Sequence, residues 1–191
     1  MTDNLVWKAS VMLTASSVMN LYASGQIESM LATLPVVAAC EESVFANEQY
    51  CIYAGPDEEV IQKKDAVDIW PLVEKNLLHL VAANGQVLET AARIAALGMI
   101  DDGETIPCAI ALQYDWMLVT DDPYALDLFM VHLPGITCVS TIDIVKYWVE
   151  TCWPTTQVIK KAVGSMDKRA LYKPSVSHRW YPWWNMWNGY A

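Results

Sequence analysis

Residues 5–13 are almost all apolar and β-rich, the pattern of a strand buried on both faces. The period then changes. Val18, Leu21 and Tyr22, followed by Ile27, Met30, Leu31 and Leu34, recur at helical spacing, so helix follows strand. Residues 36–40 read as a second strand, 42–52 as a helix, and Ala54-Gly55-Pro56-Asp57 as a turn before an exposed, charged excursion. A third apolar run covers residues 77–83; a turn at Asn84-Gly85 leads into an alanine-rich helix over 87–100. Further along, the pattern predicts helix over 104–114, strand over 116–120, helix over 123–131 and strand over 136–140. Helical spacing returns from Thr141 to Val149, breaks at Trp153-Pro154 and resumes to about Leu171.

Strands alternating with helices predict a three-layer α/β/α fold around a central parallel sheet of about five strands, with a C-terminal helix and an aromatic tail. In such sheets, ligands gather at the carboxyl ends of the strands. The expected organisation is one α/β domain over residues 1–150. A basic helical extension over 151–191 ends in a Trp-rich tail packed on the domain or on a partner.

Charge sharpens that division. Residues 1–150 carry 6 basic and 21 acidic side chains, whereas 151–191 carry 6 basic and 1 acidic. Polyanions are repelled by the body and drawn to the tail, where Lys160, Lys161, Lys168, Arg169, Lys173 and Arg179 are the candidate residues for contacting a phosphate backbone such as that of RNA. The longest uncharged run, 9–27, holds too many polar residues to cross a bilayer. No basic-then-apolar leader opens the chain, so the expected location is the cytoplasm. The cysteines, Cys40, Cys51, Cys108, Cys138 and Cys152, never form a Cys-x-x-Cys pair and read as reduced, small core residues. His79, His132 and His178 lack ligand spacing, which argues against zinc.

Acids fall where the pattern places strand ends and helix starts: Glu48, Glu104, Asp121 and Asp122. Carboxylates brought together at one sheet edge are hard oxygen ligands suited to Mg²⁺ or Mn²⁺. Each acid also has a purely structural use. Asp122 precedes Pro123 and suits a helix N-cap, Asp102 or Glu104 suits a helix N-terminus, and Glu48 suits an exposed helix face.

Taken in order, these stretches resemble the PIN-domain family of metal-dependent nucleases, which includes many toxins of toxin–antitoxin pairs. The resemblance is carried by Thr14-Ala15-Ser16 with the following "NLYASG", by "VFANEQY" with Glu48, by "DDGE" ahead of "CAIAL", and by "LVTDD" with Thr120 and Asp122. The ending "LYKP" followed by "WYPWW" is similar to one bacterial and archaeal subgroup. The resemblance implies an endoribonuclease that hydrolyses RNA phosphodiesters with Mg²⁺ or Mn²⁺. Glu48, Glu104 and Asp122 would be metal ligands, Asp121 a helper, and Ser16 and Thr120 orienting groups. It also implies an antitoxin or other protein partner and a homodimer.

Position 14 departs from the family, whose first acid belongs there. A threonine hydroxyl brings no charge; it either accepts a hydrogen bond from a metal-bound water or caps the following helix. The alternative function is therefore a catalytically silent PIN-like module that binds RNA or a protein. Pro107 is a second departure, expected to set the helix start at about Glu104. In "WYPWWNMWNGY" the aromatics suit either base stacking or an apolar clasp across the domain, and the clasp is the preferred reading.

Overall fold

The structure, a computed structural model, describes residues 6–43, 50–54, 63–98 and 102–189. Ser10–Leu13 (β1) is buried along its whole length and forms the middle of a five-stranded sheet. Val37–Glu41 (β2) and Met117–Val119 (β6) flank it, with His79–Val81 (β5) and Thr137–Val139 (β7) at the two edges. Every pairing in this sheet is parallel. Cys51–Tyr53 (β3) and Lys64–Ala66 (β4) form a separate antiparallel pair.

Alternation along β1 creates two cores. Val11 and Leu13 face one side with Val18, Leu21, Met30, Ile144 and Trp148, while Met12 faces the other with Val87, Ile94, Cys108 and Phe129. Ala15–Ala23 (α1), Ile27–Thr33 (α2), Trp70–Glu74 (α3), Thr141–Cys152 (α7) and Thr156–Ala170 (α8) supply the first layer. Gly85–Ala95 (α4), Asp102–Tyr114 (α5) and Pro123–His132 (α6) supply the second. The result is the α/β fold with a central five-stranded parallel sheet that the pattern predicts.

Several boundaries differ from expectation. The long helical pattern after β1 is two helices, because Gly25 turns the chain with φ +68°, a conformation natural to glycine. Cys51 and Ile52, expected at the end of a helix over 42–52, instead pair with Ala66 and Asp65 in the hairpin, and residues 44–49 of that span lie outside the described residues. Pro107 lies inside α5, whose described part begins at Asp102, so it does not set the helix start at Glu104. Tyr181–Asn188 (α9) gives the aromatic tail a defined helix, and its Trp184 is fully buried in the first core. The cysteines are all free, but Cys152 is exposed rather than a core residue. Of the turn at Ala54 to Asp57, only Ala54 lies within the described residues.

Candidate functional site

The chain leaves the sheet at Thr14 after β1, at Glu41 at the tip of β2, at Thr120 after β6 and at Ser140 after β7. The backbone N–H of Thr14 donates to Val119 O (3.2 Å), and that of Thr120 donates to Val139 O (3.1 Å), which ties the three strand ends side by side.

Thr14 is fully buried and caps α1. Its Oγ1 accepts from Ser17 N (3.4 Å) and lies 3.0 Å from the hydroxyls of both Ser16 and Ser17. Ser17 in turn donates to Val119 O at 3.0 Å. The centre of the strand-end pole is thus a closed group of hydroxyls without formal charge.

Two residues past β6, the period-two geometry of a strand separates groups adjacent in sequence. Thr120 has the parity of Leu118, which faces the second core, and its hydroxyl donates to buried Glu104 of α5 (Oε2, 2.7 Å). Asp121 turns to the opposite layer. Its carboxylate accepts from Asn20 Nδ2 (3.0 Å), Thr141 N (2.9 Å), the Thr141 hydroxyl and Tyr172 OH (3.2 Å). Burial pushes the Asp121 pKa upward against the pull of these donors. Burial, joined by the adjacent Asp121 charge, also raises Tyr172 well above the usual phenol value. Asp122 caps α6, accepting from Tyr124 N (2.8 Å) and Ala125 N (3.2 Å), with Pro123 in the first helical turn. Its own N–H donates to Thr120 Oγ1 (3.2 Å), so Thr120 bridges Glu104 and the backbone of Asp122.

Glu41 is the residue that the sequence pattern missed. It is 3% exposed, and its carboxylate accepts from the N–H (3.0 Å) and hydroxyl (2.6 Å) of Ser43. Since Leu13 pairs with Cys40, the next positions, Thr14 and Glu41, stand beside each other at the sheet end. The signal was present in the strand: Glu41 has the parity of Ala39, which faces the second core.

Glu48 lies outside the described residues. Among the described residues, no three His, Cys, Asp or Glu side chains group closely enough to hold a metal ion. Of the described candidates, Thr14 is neutral, Asp121 is enclosed on the other layer, and one oxygen of Asp122 caps a helix, while Glu41 and Glu104 are buried carboxylates.

Of the six basic residues, Lys160, Lys161 and Lys168 are exposed on α8. Arg169 instead fastens the β3–β4 hairpin, donating to Tyr53 O (2.9 Å), Ala23 O (3.5 Å) and Asp65 (3.1 Å). Lys173 lies 5.9 Å from the Tyr181 ring centre, and Arg179 pairs with Asp143 at 2.7 Å while stacking on Trp180. Replacing Arg169 with alanine should loosen the hairpin by about 1–2 kcal/mol, since the ion pair is partly solvated and two of the bonds go to backbone. Faster amide exchange at Ala54 and Val67, which bond to Lys63 O and Tyr50 O, would register it.

These features define a parallel α/β domain with a polar pole at the carboxyl ends of its strands. No family model matches the chain, and no curated protein matches it. Among solved structures the chain is similar to the crystal structure of VapBC2 from Rickettsia felis bound to a DNA fragment from their promoter. Identity is 14%, 69% of this chain and 98% of that chain are covered, and the TM-score is 0.42. Among the described residues, no helix is long and apolar enough to cross a membrane.

Proposed function

We propose that this chain is a PIN-like module that works by binding a protein partner and does not hydrolyse RNA by itself. One observation carries the reading: the Thr14 hydroxyl, where the family pattern has its first acid, is fully engaged as a helix cap within a ring of serine hydroxyls. The enclosure of Asp121 on the opposite layer and the capping role of Asp122 support it. A protein is favoured over RNA because Arg169 and Arg179 are spent on internal ion pairs, leaving Lys160, Lys161 and Lys168 beside a strongly acidic body.

Weak endoribonuclease activity is the second reading, supported by the bridge through Thr120 between Glu104 and Asp122. The natural protein, Thr14→Asp and Asp122→Ala, assayed together for Mn²⁺-dependent RNA cleavage, separate the two. We expect no turnover from the natural protein. Robust cleavage that disappears in Asp122→Ala would overturn the binding-module reading.

Thr14→Asp should keep the fold, since aspartate is as good an N-cap as threonine and the Ser16 and Ser17 donors remain. It places a charge beside the buried carboxylate of Glu41, so calorimetric titration should show Mn²⁺ binding about tenfold tighter than in the natural protein. Equal affinities would show that Glu41 and Glu104 do not face position 14.

A further inference from the structure

The segment after α8 returns across the strand-end pole and is held there largely by one buried acid. Asp143, 8% exposed, accepts from Ser140 N (2.9 Å), Ser140 Oγ (2.6 Å), Arg179 Nη2 (2.7 Å) and Trp180 Nε1 (2.8 Å). His178 completes the fastening. Its Nδ1 accepts the backbone N–H of Trp180 (3.1 Å), and its Nε2 lies 3.0 Å from Ser140 Oγ. An acceptor at Nδ1 fixes the ring proton on Nε2. The hydrogen bonds therefore run in one direction, from His178 Nε2–H to Ser140 Oγ and from Ser140 O–H to Asp143. The Ser140 hydroxyl donates its hydrogen bond to a carboxylate, not to the imidazole, so this Ser, His and Asp do not form a nucleophilic triad.

We infer that His178 is an acid-sensitive latch for residues 175–180, closed when the imidazole is neutral and released when a proton arrives at Nδ1. The added N–H would face the Trp180 N–H across 3.1 Å, replacing a hydrogen bond with two opposed donors. Other charges around the ring divide. Asp143 on α7, 4.0 Å from Nε2, and Asp121 beyond β6 favour the cation, while the neighbouring Arg179 opposes it. Asp127 on α6 lies across the adjoining groove, and the Tyr172 hydroxyl is occupied by Asp121. Burial is the largest influence and holds the His178 pKa below its ordinary 6.5, with Arg179 adding to it.

The sign follows from that depression. In the released state the histidine titrates near 6.5, so acid begins to favour release there, and the bias grows until the lower, docked value is passed. Release removes one wall of a groove of about 740 Å³, which Ser175, Ser177, His178 and Arg179 form opposite Leu126 and Met130 of α6. The latch thus sets whether one wall of this cleft is in place.

Hydrogen exchange on the full chain between pH 7.5 and 5, corrected for intrinsic rates, tests the inference. Protection at the Trp180 amide should fall by up to about tenfold per pH unit below roughly 6.5, while the amides of β1 stay protected. His178→Asn keeps an acceptor two residues before the Trp180 N–H but cannot titrate, so its protection should be flat over the same range. Nuclear magnetic resonance titration of the His178 ring in the natural protein gives an independent measure, with an expected midpoint below 6.5. A midpoint at or above 6.5, protection that is constant to pH 5, or an unchanged profile in His178→Asn would each overturn the latch.

Discussion

Replacing Asp143 with alanine should lower the unfolding free energy by about 3 kcal/mol. The loss has two parts. The Ser140 N–H and hydroxyl lose the acceptor that completes the capping box of α7, and the Trp180 indole N–H and the Arg179 guanidinium lose their shared oxygen. A half-exposed Arg179 recovers part of its cost from water, which keeps the figure below the upper range for breaking a buried ion pair. Asp143→Asn, retaining one acceptor oxygen, should cost about half as much. Burial acts to raise the pKa of this carboxyl, but the Ser140, Arg179 and Trp180 donors outweigh it and hold the value below 3.8. Its stabilising contribution is therefore complete above that value and is lost as the pH falls through the folded pKa. Urea denaturation at pH 7 and at pH 3 measures both effects, and the difference between natural protein and Asp143→Ala should shrink at the lower pH.

Trp184→Ala should have the largest effect of any single core substitution in the C-terminal part, about 3–5 kcal/mol. The side chain is fully buried, meets Tyr172 edge-on with ring centres 5.2 Å apart, and belongs to the same apolar cluster as Val11 and Leu13 of β1. Its indole N–H has no hydrogen-bond partner. Phenylalanine should consequently be tolerated far better than alanine, at a cost near 1 kcal/mol: the substitution removes an unsatisfied donor while keeping most of the ring. Thermal or urea unfolding of the two variants gives the comparison. Equal losses would mean that the indole nitrogen is satisfied in solution.

The sheet was legible because its strands are short, apolar and separated by segments of helical period. Residues 117–119 and 137–139 lie inside their predicted spans, and Asp122 with Pro123 announced the start of α6. The hairpin was not legible: Cys51, Ile52 and Tyr53 continue an apolar pattern that short strands and helices share. The first-layer contacts of Tyr172 and Trp184 depend on a return of the chain that local spacing does not encode.

The candidate site was half legible for a related reason. Counting acids near strand ends finds Glu104, Asp121 and Asp122, but one residue of strand is enough to turn Thr120 and Asp121 to opposite layers. Glu41 was concealed because it falls between the strand predicted over 36–40 and the helix predicted over 42–52, whereas β2 continues through it. The alternative assigned to Thr14, a helix cap, is realised in its bond from Ser17, and this geometry leaves any metal-water role to the Mn²⁺ titration proposed above.

The order of strands has a consequence for synthesis. β1 is made more than a hundred residues before its neighbour β6, and Trp184 follows later still. Until then one edge of β1 lacks its partner and the apolar faces of Val11 and Leu13 lack part of their cover. A nascent chain therefore carries a sticky, half-built centre throughout that interval, and shielding by chaperones matters more to it than to a protein whose sheet grows outward from an edge.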